Sequence, residues 1–477
     1  MLLFALLVGF TSYWSVFDAD ALKDKRANKR PLLEQEQVPR GTIFAADGAV
    51  IAKSVPVGHG NDLIYSRRYP QGSRYGHPIG YSFFDLGQTE FERFHNDELV
   101  GNKQEFSTIL DQLEGATQKG DDVYTSLDTS AQQTALDDLA AAGSGAVVAI
   151  EPQTGKVRVM ASVPSYNPNE AKYPAKFKQL NQAPAGQTGP LFDSASQGGF
   201  PPGSTFKVVT AAAGLDSGTI TPATTINAPG TLDVQGQPLN NDFNQDFGPI
   251  SLDTALTNSV NTWFAQLAQK VGENTLFDYM NRFGFNSTPP IDLPSDELTK
   301  SGVYDNGTLL GPNDPVDLAR IGIGQERLLV TPLQMAEVAA AVANGGKQMK
   351  PQIWSKVTDP DGRTVSTMNP SEFGQPISAQ SAAELTTAMQ GVVTSGTGTN
   401  AAIAGTTVAG KTGTAETPGA CQGDTTANQA WFIGFAPADN PKIAIAATVD
   451  CTAQFGNDVA APIFRDVAQD LLGSSGG

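Results

Sequence analysis

Histidine is nearly missing from this sequence. Only His59, His77 and His95 occur in 477 residues, and none follows residue 95. Imidazole is the usual base for a serine nucleophile, so chemistry in most of the chain has to be run by other groups. Cysteine is almost as scarce. Cys421 and Cys451 stand alone near the C-terminal end, and two thiols without a downstream histidine cannot complete a zinc site. They are either one disulfide in an oxidising compartment or two free thiols. Positive charge is short as well: 31 Lys and Arg face 49 Asp and Glu, a formal net charge of -18. A surface of that sign repels phosphate and argues against a nucleic-acid partner. With 40% hydrophobic and 17% charged residues the chain suits a folded body, and its length implies two or three domains.

Long apolar runs are absent but for one. MLLFALLVGFTSYWSVF, residues 1–17, has no charge before Asp18 and is near the shortest length that spans a bilayer. It reads as a membrane anchor or as the apolar part of a signal peptide, for which Ala19-Asp20-Ala21 is a weak cleavage match. No Lys or Arg precedes the run, whereas Lys23, Lys25, Arg26, Lys29 and Arg30 follow it. That asymmetry would keep the body cytoplasmic, and it implies that a basic leader precedes Met1 in the intact chain.

Beyond a charged linker from residue 18 to 39, RGTIFAADGAVIAKSV alternates around Asp47-Gly48 and predicts a hairpin. DTSAQQTALDDLAAAG, residues 128–143, predicts a helix capped by Asp128 or Thr129 and stopped by Gly143. A second unit starts there. GAVVAIEPQTGKVRVMASV predicts two strands about the turn Pro152–Gly155, and residues 203–216 an apolar helix. Residues 253–272 predict a helix interrupted at Ser259–Asn261, and 331–346 one capped by Thr331 with Pro332 at its first position. The chain closes as AGKTGTAE, AWFIGFAP, KIAIAATVD and PIFRDVAQDLLG, three strands and a helix.

FPPGSTFKVVTAAAGL, residues 200–215, places Ser204 and Lys207 three apart, on one helical face. Pro201, Pro202 and Gly203 allow a sharp entry, so Ser204 falls in the first turn, where unpaired N–H groups favour an oxyanion. Lys207 could serve as base if burial and a second cation lower its pKa. Composition alone produces such a pair, but two further patterns follow in order: Ser259-Val260-Asn261 and Lys411-Thr412-Gly413-Thr414. Ser165-Tyr166-Asn167 precedes Ser204 in a Pro-rich loop, and Lys300-Ser301-Gly302 follows an acidic segment without strand pattern, so neither competes.

With these three motifs the chain resembles the class B penicillin-binding proteins, of the short A type known from actinobacteria. The resemblance extends through RGTIFAADGAVIA, YPQGSRYGHPIGY, LGQTEFERFHNDELVG, GTGTNAAIAG and TPLQMAEVAAAVANGG. No stretch resembles a glycosyltransferase, and Glu326 stands where many relatives carry glycine after Gln325. The resemblance implies an α/β fold of α+β sandwich type: a penicillin-binding, serine β-lactamase-like domain over 143–477, with a central antiparallel sheet flanked by helices. An elongated non-catalytic α+β module would occupy 18–142, behind a membrane anchor at 1–17. The implied activity is peptidoglycan D,D-transpeptidation in cell-wall synthesis and division, without cofactor or metal, on the extracytoplasmic side of the cell membrane.

Carried over residue by residue, Ser204 would attack between two terminal D-alanines of a stem peptide, with Lys207 as base and Ser259 as proton relay. Asn261 would hold the donor amide. Lys411, Thr412, Gly413 and Thr414 would receive the substrate carboxylate, with the N–H groups of Ser204 and Thr414 as oxyanion hole. β-Lactams would acylate Ser204, and division-machinery proteins would be partners. Rival readings are a D,D-carboxypeptidase, a β-lactamase, and a non-catalytic sensor or scaffold. Cys421 and Cys451 would end neighbouring strands and could form a disulfide. Trp431 is expected as core or pocket wall, Glu416 and Asp424 as loop charges, and the three histidines as structural.

Overall fold

The computed structural model describes residues 37–59, 63–101, 119–183, 189–416 and 428–474, together with Leu6, Phe10 and Tyr13 of the apolar N-terminal segment. Among the first elements are β1 (Ile43–Phe44), β2 (Val50–Val57), β3 (Ile64–Arg68), β4 (Asp122–Thr125) and α1 (Thr129–Ala142). The hairpin at Asp47-Gly48 joins β1 to β2, with Gly48 at φ 83. Asp128 caps α1, accepting from Ser130 N at 3.1 Å and Ala131 N at 3.0 Å. Next come β5 (Gly145–Ile150), β6 (Val157–Val163), α2 (Lys207–Asp216), α3 (Leu252–Thr257), α4 (Asn261–Val271) and α5 (Pro332–Ala343). The chain continues through β7 (Trp354–Thr358), β8 (Thr364–Thr367), α6 (Ala379–Thr394), β9 (Ala409–Glu416), β10 (Asn428–Ala436), β11 (Ile443–Thr452) and α7 (Gly456–Ser474).

The central sheet is antiparallel throughout, in the order β9-β10-β11-β5-β6. Its inner strands are buried on both faces, which is why AWFIGFA and IAIAATV run almost without polar interruption. One face packs on α1 and α7, where Leu139, Phe464 and Val467 meet Val147, Phe432 and Ile445. The other packs on α5, buried along its length from Pro332 to Val342, and on α6, which lies against β9 and carries α2 on its far side. A helix apolar on every side can only be a central one. Thr331 caps it as expected, accepting from Gln334 N at 3.1 Å.

A second sheet has the order β8-β7-β4-β1-β2-β3, with β1 and β4 parallel. β7 and β8 come from far along the chain and complete the sheet begun by the N-terminal strands. The sequence of residues 354–367 carries no signal of which sheet takes these strands. Under β2 and β3, Glu92 is fully buried and accepts from Arg40 at 2.9 Å, Arg67 at 2.6 Å and Tyr69 at 3.1 Å. His77 and His95 are buried as well, His95 with Asp292 Oδ2 3.2 Å from its Nε2.

Candidate active site

Ser204 sits in a 3₁₀ turn, Gly203–Phe206, that runs directly into α2, whose first residue is Lys207. The expected α-helical first turn is thus tighter than a plain helix start. Two glycines let this turn press against β9. A Cβ on Gly203, at φ 51, would lie 2.7 Å from Thr414 O, and one on Gly413 would lie 2.7 Å from Pro202 O. Trp431, fully buried on the next strand, donates from Nε1 to Pro201 O at 2.9 Å and fixes the approach of the turn. Because β9 is the edge strand, its outer backbone groups are available to whatever lies beside Ser204.

The interruption expected in the 253–272 helix falls between α3 and α4, where Ser259 takes φ 56. A positive φ at a non-glycine residue is sparsely populated and turns the Ser259 side chain back toward α2. Lys207 Nζ donates to Ser259 O at 2.6 Å and Asn261 Oδ1 at 2.6 Å, and lies 3.2 Å from Ser259 Oγ. From the other side Lys411 Nζ donates to Ser259 Oγ at 2.9 Å and Thr412 O at 3.0 Å. Lys411 is therefore buried behind the serine, away from the open cleft where a substrate carboxylate would enter. Thr412 and Thr414 face that cleft instead, with Thr397 Oγ1 2.7 Å from Thr412 Oγ1 and Gly456 N donating to Thr414 Oγ1 at 3.3 Å. Among the described residues the Ser204 hydroxyl has no hydrogen-bond partner.

Both lysines are fully enclosed, and burial is the main reason their charged forms are disfavoured. Lys207 is pushed well below the ordinary lysine value, first by burial and then by the Lys411 cation. Lys411 is lowered to about 7 by burial. Asp242 opposes the shift at both. The cluster is thereby arranged to hold fewer protons than two lysines in water.

The cleft over these groups has a volume of about 530 Å³ and is lined by Ser204, Ser259, Asn261 and residues 412–414. It also takes in Asp242, Arg320, Thr397 and Asn428, which the motifs did not mark. Thr397 lies within the GTGTN stretch, whereas Asp242 carries no local signal. Glu416 lies exposed on the rim, and Asp424 is outside the described residues. The Cys421 half of the expected disulfide is likewise outside them, while Cys451 holds no free thiol. Most of the 1–17 apolar segment is outside them too. Among the described residues no helix is long and apolar enough to cross a membrane.

Fold and side-chain cluster together define a penicillin-binding, serine β-lactamase-like protein. The chain belongs to the penicillin-binding protein transpeptidase family: the family pattern for the penicillin-binding protein transpeptidase domain matches residues 145–469. That for the penicillin-binding protein A dimerisation domain matches residues 40–123. The peptidoglycan D,D-transpeptidase PbpA of Mycolicibacterium smegmatis is 34% identical over 98% of this chain and 95% of its own length. PbpA of Mycobacterium tuberculosis is 34% identical over 99% of this chain and 97% of its own. The ceftriaxone acyl-enzyme structure of M. tuberculosis penicillin-binding protein A superposes with a TM-score of 0.81 at 32% identity, covering 92% of this chain and 99% of that one.

Proposed function

We propose that this protein is a peptidoglycan D,D-transpeptidase working through an acyl-enzyme on Ser204. The observation that carries the reading is the shared contact of Lys207 and Lys411 with Ser259 Oγ, beside a serine pressed against an edge strand. A neutral Lys207 amine has four tetrahedral positions. One is the bond to Cε and two are hydrogens given to Ser259 O and Asn261 Oδ1, so a single lone pair remains for the two serine hydroxyls. The lone pair takes the Ser204 proton as Oγ attacks the D-Ala-D-Ala carbonyl. Ser259, polarised by Lys411, passes a proton to the leaving D-alanine amine. The N–H groups of Ser204 and Thr414 receive the oxyanion, Asn261 the donor amide, and the Thr412 and Thr414 hydroxyls the terminal carboxylate. β-Lactams enter by the same route and leave Ser204 acylated.

Intact mass after mixing with penicillin tests this. A persistent single adduct on the wild type and none on Ser204→Ala is expected; an adduct that survives the substitution sinks the assignment. Rapid β-lactam turnover would make the protein a hydrolase. The companion reading is a D,D-carboxypeptidase, and partition of the acyl group between an amine and water separates the two. Residues 1–17 act in this proposal as a single membrane span with the catalytic domain outside, supported by their uncharged run. The N-terminal sheet would meet cell-wall or division proteins. Protease added to intact cells should then digest the catalytic domain, and full protection would place it inside.

A further inference from the structure

The mechanism leaves three charged side chains of the cleft unused: Asp242, Arg320 and, on the rim, Glu416. Asp242 lines the same cavity as Ser204 and the β9 threonines. It is exposed, and among the described residues its carboxylate has no hydrogen-bond or ion-pair partner. Its position is nevertheless fixed. The preceding Asn241 is buried and bonded on both sides of its amide: Nδ2 donates to Pro229 O at 3.0 Å and Gln245 O at 2.9 Å, and Oδ1 accepts from Thr262 N at 2.9 Å. Asn240 O accepts from Asn261 Nδ2 at 2.9 Å, tying the segment to the second motif. Phe243 and Asn244 follow at φ 54 and φ 53. Two consecutive non-glycine residues in that region hold only where surrounding bonds over-determine them.

We propose that Asp242 is the recognition residue for the acyl acceptor, its carboxylate binding the ammonium group of an incoming primary amine at the mouth of the cleft. The inference rests on the acyl-transfer reading above. A free anion held rigidly at a nucleophile's entrance suits a cationic partner, and the donor's own carboxylate would be repelled by it. The same charge acts on Lys207 and Lys411, which places it within electrostatic reach of the reacting atoms. Arg320, the neighbouring cation, is already paired with Asp317 and leaves Asp242 uncompensated. In the transfer step the bound ammonium releases one proton to solvent and its nitrogen forms a bond to the acyl carbon. The bond from that carbon to Ser204 Oγ breaks, and the second proton returns to Oγ through Lys207.

The test compares wild type with Asp242→Asn, both acylated from a thioester analogue of the donor peptide, and reads the ratio of aminolysis to hydrolysis. Because both products leave one acyl-enzyme, differences in acylation cancel, and penicillin labelling reports that the variant is folded. Two acceptors are used at neutral pH: glycylglycine, whose amine is mostly cationic, and hydroxylamine, which is mostly neutral. For glycylglycine the ratio is expected to fall about tenfold in the variant, the scale of a charge-assisted hydrogen bond, and for hydroxylamine to stay within about twofold. An equal fall with both acceptors, or no fall with either, overturns the assignment of Asp242. If the wild type itself only hydrolyses the acyl group, the transpeptidase reading fails first.

Discussion

Lys411 Nζ donates to Ser259 Oγ over 2.9 Å, joining residues 152 positions apart in the chain. The contact puts a cation on the far side of the serine hydroxyl from Lys207, so a proton leaving Ser204 travels along a path with fixed polarity. Lys411, lowered to about 7 by burial, is itself close to losing that cation near neutrality. Acylation needs Lys207 neutral and Lys411 charged, so it should fall as pH rises past about 7 and Lys411 loses its proton. Lys411→Ala is expected to slow penicillin acylation about a hundredfold and to abolish the alkaline limb. A rate–pH profile that keeps its descending side in the variant would show that another group carries it.

Lys207 supports a second prediction, about stability. Its folded pKa lies well below the ordinary 10.5, so the unfolded chain binds the extra proton. The sign follows: this group contributes nothing above pH 10.5 and destabilises the fold progressively as pH falls below it. Lys207→Met removes the titration and abolishes acylation. Its Tm relative to wild type should therefore increase steadily from alkaline to neutral pH. A constant Tm difference across that range would mean that the amine is not held neutral by burial.

Much of this arrangement could be read in the sequence because it is local. The cap of α1 at Asp128, the glycine turn at Asp47-Gly48, the break at Ser259 and the three motifs each depend on a few adjacent residues. What could not be read is what long-range packing decides. The β7–β8 hairpin looks like any strand pair until β4 claims it. Lys411 follows the strand pattern of β9, yet only the depth of the cleft decides that its ammonium meets Ser259 and not a carboxylate. Asp242 reads as an ordinary polar loop residue, and its place beside the lysines comes from Asn241 anchoring to Pro229, Gln245 and Thr262.

The close approach of the nucleophile turn to β9 can be disturbed with a single methyl group. A Cβ at Gly413 would meet Thr205 Cγ2 at 2.8 Å as well as Pro202 O at 2.7 Å, and neither the carbonyl nor the buried threonine can retreat freely. Gly413→Ala should displace Ser204 from the strand proposed to supply the oxyanion N–H. An error of about 1 Å there slows acylation by about a hundredfold, while circular dichroism and thermal unfolding stay close to wild type. Full-speed acylation by the variant would mean that the turn and the strand are not rigidly coupled.

The joint between the two sheets offers a prediction of opposite sign to that of Lys207. Asp292 ties three segments together: its Oδ1 accepts from Ile353 N at 2.6 Å, and its Oδ2 from Trp354 N at 2.9 Å, with His95 Nε2 at 3.2 Å. Burial works against a charged His95, but the hydrogen bond to Asp292 and the nearby Glu98 carboxylate, 3.8 Å from Nδ1, outweigh it and raise its pKa above the ordinary 6.5. A raised folded pKa contributes stability that is complete below 6.5 and disappears as pH climbs through the folded value. His95→Gln cannot carry that charge. Its loss of stability against wild type, measured by urea unfolding, should be largest on the acid side of neutrality and shrink at alkaline pH. A deficit that is the same at both ends would mean that His95 acts by shape alone, and that the joint between the N-terminal strands and the catalytic domain is insensitive to protonation.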